Sequence, residues 1–329
     1  MPISVVFSTI LAAAMLFAPM QTPPMQEPVF RADVRLVRVL ATVRNPEGQL
    51  VGALNRDDFT VFDNGLRQEV AVFERQTAQA LSITLLVDTS LSTAKDLRYE
   101  TDSVSRFLRA VYAEGDLQDA VSLYSFNYDV TLLASFTRRR ERLDEAMKQL
   151  QPRSGTSLYD AIYLACQNLE MREGRRVLIL VTDGGDTTSA KKFRDAQEAA
   201  QRADAVLYAI LVMPITNEAG RNVGGENALR TLAWGTAGRV FTPPTMGPVV
   251  DAAFTDILKE LRTQYFLGYY PRAVPPIAGG YHQVQVKVRN PGLQVNARSG
   301  YYEEVERKPA PPAEGRGPVR DKDYLRPKR

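Results

Sequence analysis

The apolar run Leu81-Ser82-Ile83-Thr84-Leu85-Leu86-Val87 leads directly into Asp88-Thr89-Ser90-Leu91-Ser92. This is the pattern of a buried strand that ends in one carboxylate and two serine hydroxyls. A second apolar strand, 177–181, ends near Asp183-Gly184-Gly185-Asp186, and Ser154-Gly155-Thr156-Ser157 opens a helical segment. Oxygen donors from three loops suit Mg²⁺, Mn²⁺ or Ca²⁺ rather than zinc or copper.

Between residue 81 and about residue 262, short apolar segments alternate with segments of helical period. This alternation predicts an α/β fold with an open, doubly wound, mostly parallel sheet covered on both faces. In such sheets ligands bind beyond the carboxyl ends of the strands, where the strand order reverses. If the strands before Asp88 and Asp183 are neighbours there, the two carboxylates converge, and Thr156 reaches the same rim from a helix start. The predicted strands are 83–87, 120–126, 130–136, 177–181, 206–211 and 239–241, and the predicted helices are 95–112, 142–150, 158–171, 193–202, 226–234 and 249–261.

The set Asp88-x-Ser90-x-Ser92, Thr156 and Asp183 resembles the metal-ion-dependent adhesion site of von Willebrand factor A domains and integrin inserted domains. The resemblance covers about residues 80–262. It implies that Ser90, Ser92 and Thr156 bind a cation through their hydroxyls, and that Asp88 and Asp183 bind it directly or through water. The implied cofactor is Mg²⁺, or Mn²⁺ or Ca²⁺, with one coordination position open for a carboxylate of a partner.

Less specific stretches extend this resemblance beyond the α/β segment. Residues 30–34, 56–59, 265–269 and 297–301 resemble segments of secreted von Willebrand A-related proteins that are abundant in acidobacteria. The resemblance therefore favours a bacterial, exported protein.

Each short motif also has a purely structural interpretation. Hydroxyl residues after a strand often cap the next helix, and Ser157-x-x-Asp160 fits a capping box. Asp183-Gly184 is an ordinary turn pair. Three such motifs in the right order, on the right elements, favour a metal site over three unrelated caps and turns.

The segments on either side of the α/β region have strand character. Asp63-Asn64-Gly65 predicts a hairpin turn between 59–62 and 69–73, and Val284, Val286 and Val288 alternate with polar residues. Neither flank has enough strands to be stable alone. We expect one small β-sandwich made of 30–78 and 263–305, with the α/β domain 79–262 inserted. The alternative is two separate β appendages.

Both ends of the chain are compositionally distinct. Residues 3–20 are uncharged and apolar, which predicts a signal peptide followed by a Pro-rich spacer within 1–29. An uncleaved membrane anchor is the alternative. Export would place the protein outside the cell or in the periplasm or cell envelope. Residues 306–329 are rich in proline and charge and predict a disordered tail.

Composition argues against several classes of function. The net charge is only +3, and the tail 306–329 carries eight Lys and Arg against four Asp and Glu. Residues 1–305 therefore have no basic field suited to nucleic acid. The single cysteine, Cys166, is expected to be a small buried hydrophobe. The single histidine, His282, has no second zinc ligand nearby and predicts a surface or strand-edge residue. A Ser-His-Asp arrangement is likewise missing from the sequence, so an enzyme is not expected.

The leading hypothesis is a secreted or envelope binding module. It binds a protein partner through a bound divalent cation and an acidic side chain of that partner. The alternatives are a metal-dependent accessory or assembly subunit, and a scaffold whose metal only braces three loops. A hydrolase that activates water on the cation is the least favoured.

Overall fold

The computed structural model describes residues 36–75, 79–94, 97–114, 116–212, 222–243, 248–275, 277 and 279–303. The predicted signal peptide and spacer, 1–29, and the predicted disordered tail, 306–329, lie outside these residues and stay predictions. Within the described part, no helix combines the length and the apolar character needed to cross a bilayer.

The α/β region is organised around a six-stranded sheet in the order β10-β9-β8-β5-β6-β7. Four neighbouring pairs are parallel, and only the edge strand β7 runs antiparallel to its neighbour. The central strands are apolar on both faces because helices cover both faces. The strands are β5 (Leu81–Asp88), β6 (Ala120–Phe126), β7 (Val130–Thr137), β8 (Arg175–Thr182), β9 (Ala205–Leu211) and β10 (Val240–Phe241).

In the part of the chain that the structure describes, six helices form the two outer layers and bury two separate apolar clusters against the sheet. One cluster includes Phe107 and Phe254, and the other includes Leu158 and Leu229. The predicted doubly wound, mostly parallel α/β fold is therefore confirmed. The helices are α1 (Leu97–Glu114), α2 (Arg140–Met147), α3 (Leu158–Glu170), α4 (Phe193–Arg202), α5 (Val223–Gly235) and α6 (Pro248–Thr263).

The flanking segments combine into two four-stranded antiparallel sheets, in the orders β13-β1-β11-β4 and β14-β12-β2-β3. Each sheet takes strands from both flanks, and one apolar cluster that includes Val39, Val61, Tyr265 and Val286 joins them. The predicted flanking β-sandwich is present, whereas the residues proposed as domain boundaries stay predictions. Its strands are β1 (Val37–Arg44), β2 (Phe59–Asp63), β3 (Leu66–Gln68), β4 (Val70–Arg75), β11 (Tyr265–Tyr269), β12 (Tyr281–Val288), β13 (Gln294–Ala297) and β14 (Gly300–Tyr302).

The predicted hairpin exists, but its second strand is shorter than expected. Asn64 and Gly65 have φ values of 47° and 81°, as a tight two-residue turn requires. Across the hairpin, β2 pairs with β3, from Val61 opposite Gln68 to the turn. β4 pairs with β11 in the other sheet instead. The chain changes sheets at Glu69, and Val70 turns into the sandwich core, where it is 8% exposed.

The expectation of a surface or strand-edge position for His282 was wrong. His282 lies on β12, an interior strand, and only 2% of the residue is exposed. Its Nδ1 lies 3.0 Å from Asp63 Oδ1, and its Nε2 lies 2.8 Å from Glu303 Oε1. Tyr269 and Tyr301 donate hydrogen bonds to Asp63 Oδ2. A polar network links four strands inside the sandwich, and buried polar groups persist only when they are paired in this way.

Replacing this histidine should therefore destabilise the sandwich. We expect His282→Phe to lower the free energy of unfolding by about 2–4 kcal/mol, because buried Asp63 loses a partner and the aromatic ring cannot replace it. Urea unfolding at pH 7 measures this. Gln285→Ala, an exposed position on the same strand, should change stability by less than about 0.5 kcal/mol. Equal effects of the two substitutions would contradict the structural role of the network.

Candidate metal centre

The predicted donor residues lie at the carboxyl end of the two central strands. β5 and β8 are parallel neighbours, with Val87 opposite Val181. From β5 the chain passes to β6 on one side, and β8 lies on the other side, so the strand order reverses here. Asp88 is the last residue of β5, and Asp183 follows the last residue of β8. Both carboxylates are thus placed at the ligand-binding edge expected for an open α/β sheet.

Asp88 is a fully buried carboxylate whose two oxygens have different partners. Oδ1 accepts a 2.8 Å hydrogen bond from the Ser90 backbone N–H, and Oδ2 accepts a 2.7 Å bond from the Thr182 hydroxyl. Burial raises the pKa of Asp88 to about 6, and the nearby charge of Asp183 contributes to this rise. A cation beside this group would favour its ionised form.

The two serine hydroxyls lie on the tight loop after β5. Ser90 Oγ and Ser92 Oγ are 2.9 Å apart. Thr93 Oγ1 donates to the carbonyl oxygens of Asp88 and Ser90, which closes the loop. Ser90 is buried, whereas Ser92 is exposed. The hydroxyl pair therefore runs from the interior to the surface.

Thr156 is held at the same edge by the loop after β8. Its backbone N–H donates to Thr187 Oγ1 at 3.0 Å, and its carbonyl accepts from Thr187 and Thr188 N–H at 2.8 and 3.1 Å. The residue is 5% exposed. Its loop also meets the loop after β5, because Ser90 forms a parallel β-bridge with Arg153.

The three loops are therefore joined pairwise by hydrogen bonds. The Ser90–Arg153 bridge joins the first to the second, Thr156–Thr187 joins the second to the third, and Thr182–Asp88 joins the third to the first. Asp88 ends β5 directly before the first loop, and the other four predicted residues lie on the joined loops.

Sequence analysis missed two supporting threonines. Thr182 precedes Asp183, but its role depends on the pairing of β5 with β8, which no local motif encodes. Thr187 lies just beyond the motif Asp183-Gly184-Gly185-Asp186, and nothing in its immediate sequence distinguishes it from other loop threonines.

The capping-box interpretation of Ser157 and Asp160 was wrong. The Ser157 hydroxyl donates to the Tyr128 carbonyl at 2.8 Å and does not cap α3. The Asp160 carboxylate accepts from the backbone N–H groups of Ala190 and Lys191. Both side chains fasten neighbouring loops, because tertiary partners outcompete the local cap.

The chemistry of the donor set fits a hard divalent cation. The described residues contain no cluster of three or more His, Cys, Asp or Glu side chains suited to a metal. A site here would consequently rely on two carboxylates and three hydroxyls, all oxygen donors, as Mg²⁺, Mn²⁺ and Ca²⁺ prefer. Asp183 is half-buried and Ser92 is exposed, so one side of the donor set faces solvent.

Several solved structures resemble the chain at low sequence identity. BatB from Bacteroides thetaiotaomicron is 19% identical with a TM-score of 0.45, and the match covers 56% of this chain and 100% of that one. The vWF domain of the type V pili tip protein Mfa5 from Porphyromonas gingivalis is 12% identical with a TM-score of 0.45, covering 56% and 97%. The pilus adhesin SpaC from Lactobacillus rhamnosus GG is 11% identical with a TM-score of 0.47, covering 62% and 34%.

The search of curated proteins found no match. Residues 82–253, just over half of the chain, match the von Willebrand factor type A domain. This span contains the six-stranded sheet apart from Leu81, the first residue of β5, and it contains all five predicted donor residues. The chain belongs to the von Willebrand factor type A domain family.

Proposed function

We propose that this protein is a binding module that holds a divalent cation at Asp88, Ser90, Ser92, Thr156 and Asp183, and that the cation binds an acidic side chain of a protein partner. Mg²⁺ is the favoured cation, with Mn²⁺ and Ca²⁺ as alternatives. The observation that carries the proposal is the convergence of three hydrogen-bonded loops on the carboxyl end of β5 and β8.

Charge supports a partner carboxylate. The charges of two carboxylates formally balance the charge of a divalent cation. One of the two, Asp88, also accepts hydrogen bonds from the Ser90 backbone and the Thr182 hydroxyl. The remaining donors are neutral hydroxyls. A cation in this environment keeps electrophilic character and favours an anionic ligand from outside. The exposed side chain of Ser92 leaves room for such a ligand to approach.

The same hydrogen bonds argue against a scaffold whose metal only braces the loops. Thr182, Thr187 and the Ser90–Arg153 bridge already join the three loops through protein contacts. A cation is not needed to hold them together. It would add a binding function rather than a structural one.

We favour binding over catalysis because the other nearby carboxylates have structural partners. Asp160 accepts two backbone hydrogen bonds, and Asp186 accepts bonds from Tyr159 N–H and the Ser189 hydroxyl. Neither is a free base beside the donor set. A metal-dependent accessory or assembly subunit would use the same site and the same partner chemistry. Such a subunit differs from an adhesion protein only in the identity of the partner.

Partner binding should depend on the cation and on Thr156. Partners captured on the immobilised full chain should be released by a chelator and recovered with Mg²⁺ or Mn²⁺. Thr156→Ala should weaken both cation affinity, measured by calorimetry, and capture by about tenfold or more. Thr231→Ala, which removes an exposed hydroxyl on α5, is the matched control and should change neither.

Capture that survives both chelation and Thr156→Ala would place partner binding elsewhere on the protein. Loss of the folded state in Thr156→Ala, measured by circular dichroism, would instead mark this threonine as structural.

We also propose export to the cell envelope or beyond, on the basis of the apolar segment 3–20. A fusion of residues 1–30 to a reporter that is active only outside the cytoplasm should be active. Retention of the reporter in the cytoplasm would reject both the signal peptide and the envelope location.

A further inference from the structure

The amino edge of the six-stranded sheet, where its parallel strands begin, lies opposite the proposed cation site and carries two strongly exposed apolar side chains. Leu117, in the connection from α1 to β6, is 91% exposed, and Met171, directly after α3, is 84% exposed. Among the described residues, no other large apolar side chain is as exposed as these two. Single exposed apolar residues are common, but two of them at one edge indicate a surface that another body covers.

Strand register and one side-chain contact place the two residues at the same part of the amino edge. Ser82 on β5 pairs with Ala120 on β6, and Leu117 lies three residues before Ala120. Arg172, the neighbour of Met171, donates from Nε to the Ser82 hydroxyl at 3.1 Å. Leu117 and Met171 therefore lie beside the adjacent starts of β5 and β6.

The β-sandwich packs on the neighbouring part of the amino edge and leaves this part open. Arg38 on β1 donates from Nη2 to the Gly174 carbonyl at 3.3 Å. Arg175, the first residue of β8, donates to the Gln264 side chain just before β11. These contacts cover the start of β8. The two apolar side chains remain exposed, so the described part of the sandwich does not cover them.

Exposed arginines border the apolar side chains on the side of β7. β7 ends at Thr137, opposite Val121 near the start of β6, so the residues that follow it also lie at the amino edge. They read Arg138-Arg139-Arg140-Glu141-Arg142. Three of these arginines are exposed and have no carboxylate partner among the described residues: Arg138, Arg139 and Arg142.

Positive charge exceeds negative charge at this part of the amino edge. Arg140 is neutralised by Asp144 at 3.1 Å. Arg109 adds a fourth exposed guanidinium, one helical turn before Tyr112, whose hydroxyl donates to the Thr137 carbonyl at 2.8 Å. The exposed carboxylates described beside these four arginines are only two, Asp116 and Glu141. Charges around Met171 are balanced, with two arginines and two glutamates: Arg172, Arg176, Glu170 and Glu173.

The stability of α2 does not account for the arginines. The helix begins at Arg140, and its N-cap residue Arg139 makes no side-chain capping hydrogen bond. Cations at the amino end of a helix oppose the helix dipole, and adjacent like charges repel each other. An anionic surface outside the protein would compensate both effects.

We propose that this part of the amino edge docks on the surface of a membrane that contains anionic phospholipids. Leu117 and Met171 enter the boundary between headgroups and acyl chains, and the arginines bind headgroup phosphates through charge-assisted hydrogen bonds. A soluble polyanion would match the arginines but would offer nothing to the apolar side chains.

Docking at this edge would hold the proposed cation site away from the lipid. β5 runs from Leu81 at the amino edge to Asp88, and a strand rises about 3.3 Å per residue, which separates the two ends by roughly 23 Å. A partner could therefore reach the donor residues of a docked protein. The membrane contact itself does not depend on the cation.

The test places an environment-sensitive NBD label on single cysteines of the full chain, in chelator. The natural Cys166 is 1% exposed and stays unlabelled, so the label attaches at Leu117→Cys, at Met171→Cys or, as the control, at Leu91→Cys. Leu91 is 61% exposed but lies between Ser90 and Ser92, at the other end of β5. Vesicles of phosphatidylcholine and phosphatidylglycerol in equal parts should shift the emission to shorter wavelength at positions 117 and 171 and leave it unchanged at 91. The label reports its own surroundings, whether or not residues 3–20 also bind the vesicle.

Charge variants test the role of the arginines in the chain labelled at position 117. Combining Arg138→Gln, Arg139→Gln and Arg142→Gln should abolish most of the shift, because three contacts to headgroups are lost. The matched control removes the same charge at three exposed arginines elsewhere and should keep the shift: Arg56→Gln, Arg98→Gln and Arg194→Gln. Vesicles of phosphatidylcholine alone should give a much smaller shift. Circular dichroism checks that each variant is folded.

Three results would overturn the proposal. The first is an unchanged emission at both 117 and 171, and the second is an equal shift at 91. The third is a shift at 117 that appears without vesicles as the protein concentration rises, which would mean that a second copy of the chain covers this surface.

Discussion

Asp88→Asn should remove most divalent-cation binding and, at the same time, make the metal-free protein more stable at neutral pH. The substitution keeps the shape of a side chain that is fully buried beside Ser90 and Thr182. It removes the charge of a metal ligand. Cation affinity should therefore fall by more than the roughly 10–100-fold that is lost when an outer-shell partner of a metal site is mutated. It also removes a buried charge that the metal-free fold disfavours.

The pH dependence of stability follows from the pKa of Asp88. Burial raises it from 3.8 to about 6 in the folded protein. The folded state therefore binds the proton more tightly than the unfolded chain does. The resulting stabilisation is fully present below about pH 4 and is lost as the pH rises through 6, an effect of up to about 3 kcal/mol. In the presence of chelator, the free energy of unfolding of Asp88→Asn should therefore equal that of the parent at pH 4. At pH 7.5 it should exceed that of the parent by about 1–3 kcal/mol.

Urea unfolding with and without Mg²⁺ measures both effects. Mg²⁺ should stabilise the parent at pH 7.5 but leave Asp88→Asn unchanged, because a ligand stabilises only the state that binds it. Asp183→Asn is the matched comparison. It should also weaken cation binding, but it should alter metal-free stability less, since Asp183 is only half-buried. Equal stabilisation of parent and Asp88→Asn by Mg²⁺ would remove Asp88 from the ligand set.

Two adjacent glycines at the start of α5 should respond oppositely to alanine. A Cβ atom on Gly225 would lie 1.7 Å from the backbone oxygen of Gly184, in the loop that carries Asp183. Because a backbone atom cannot rotate away, the loop or the helix must shift. We expect Gly225→Ala to destabilise the protein by about 2–4 kcal/mol and to weaken cation binding, since Asp183 moves with the loop.

Gly224→Ala is the control for this prediction. Among the described residues, a Cβ atom there would meet the Asn222 side chain alone, at 3.6 Å, which is an ordinary contact. Alanine should instead stabilise α5 by a few tenths of a kcal/mol, up to about 1 kcal/mol, through its higher helix propensity. Thermal unfolding and Mg²⁺ calorimetry of the two variants measure the contrast. Similar behaviour of both would mean that the close approach to Gly184 does not position the loop.

Local sequence was sufficient where the physical cause is local. The strands that end at Asp88 and before Asp183 could be predicted because a parallel strand buried on both faces must be apolar throughout. The turn at Asn64 and Gly65 could be predicted because few residue pairs accept two positive φ values. The choice of a divalent cation rests on side-chain type and not on distant contacts, and it stays a prediction.

Tertiary structure decided the features that depend on pairing across long stretches of chain. The Thr182 hydroxyl reaches Asp88, 94 residues earlier, only because β8 pairs with β5. His282 is buried because Asp63, 219 residues away, lies beside it in the folded sandwich. β4 lies in the other sheet from β3 because it pairs with β11. A sequence read on its own determines which segments can bury apolar surface and which turns they can make, whereas strand register and sheet exchange are selected by the packing of the whole domain.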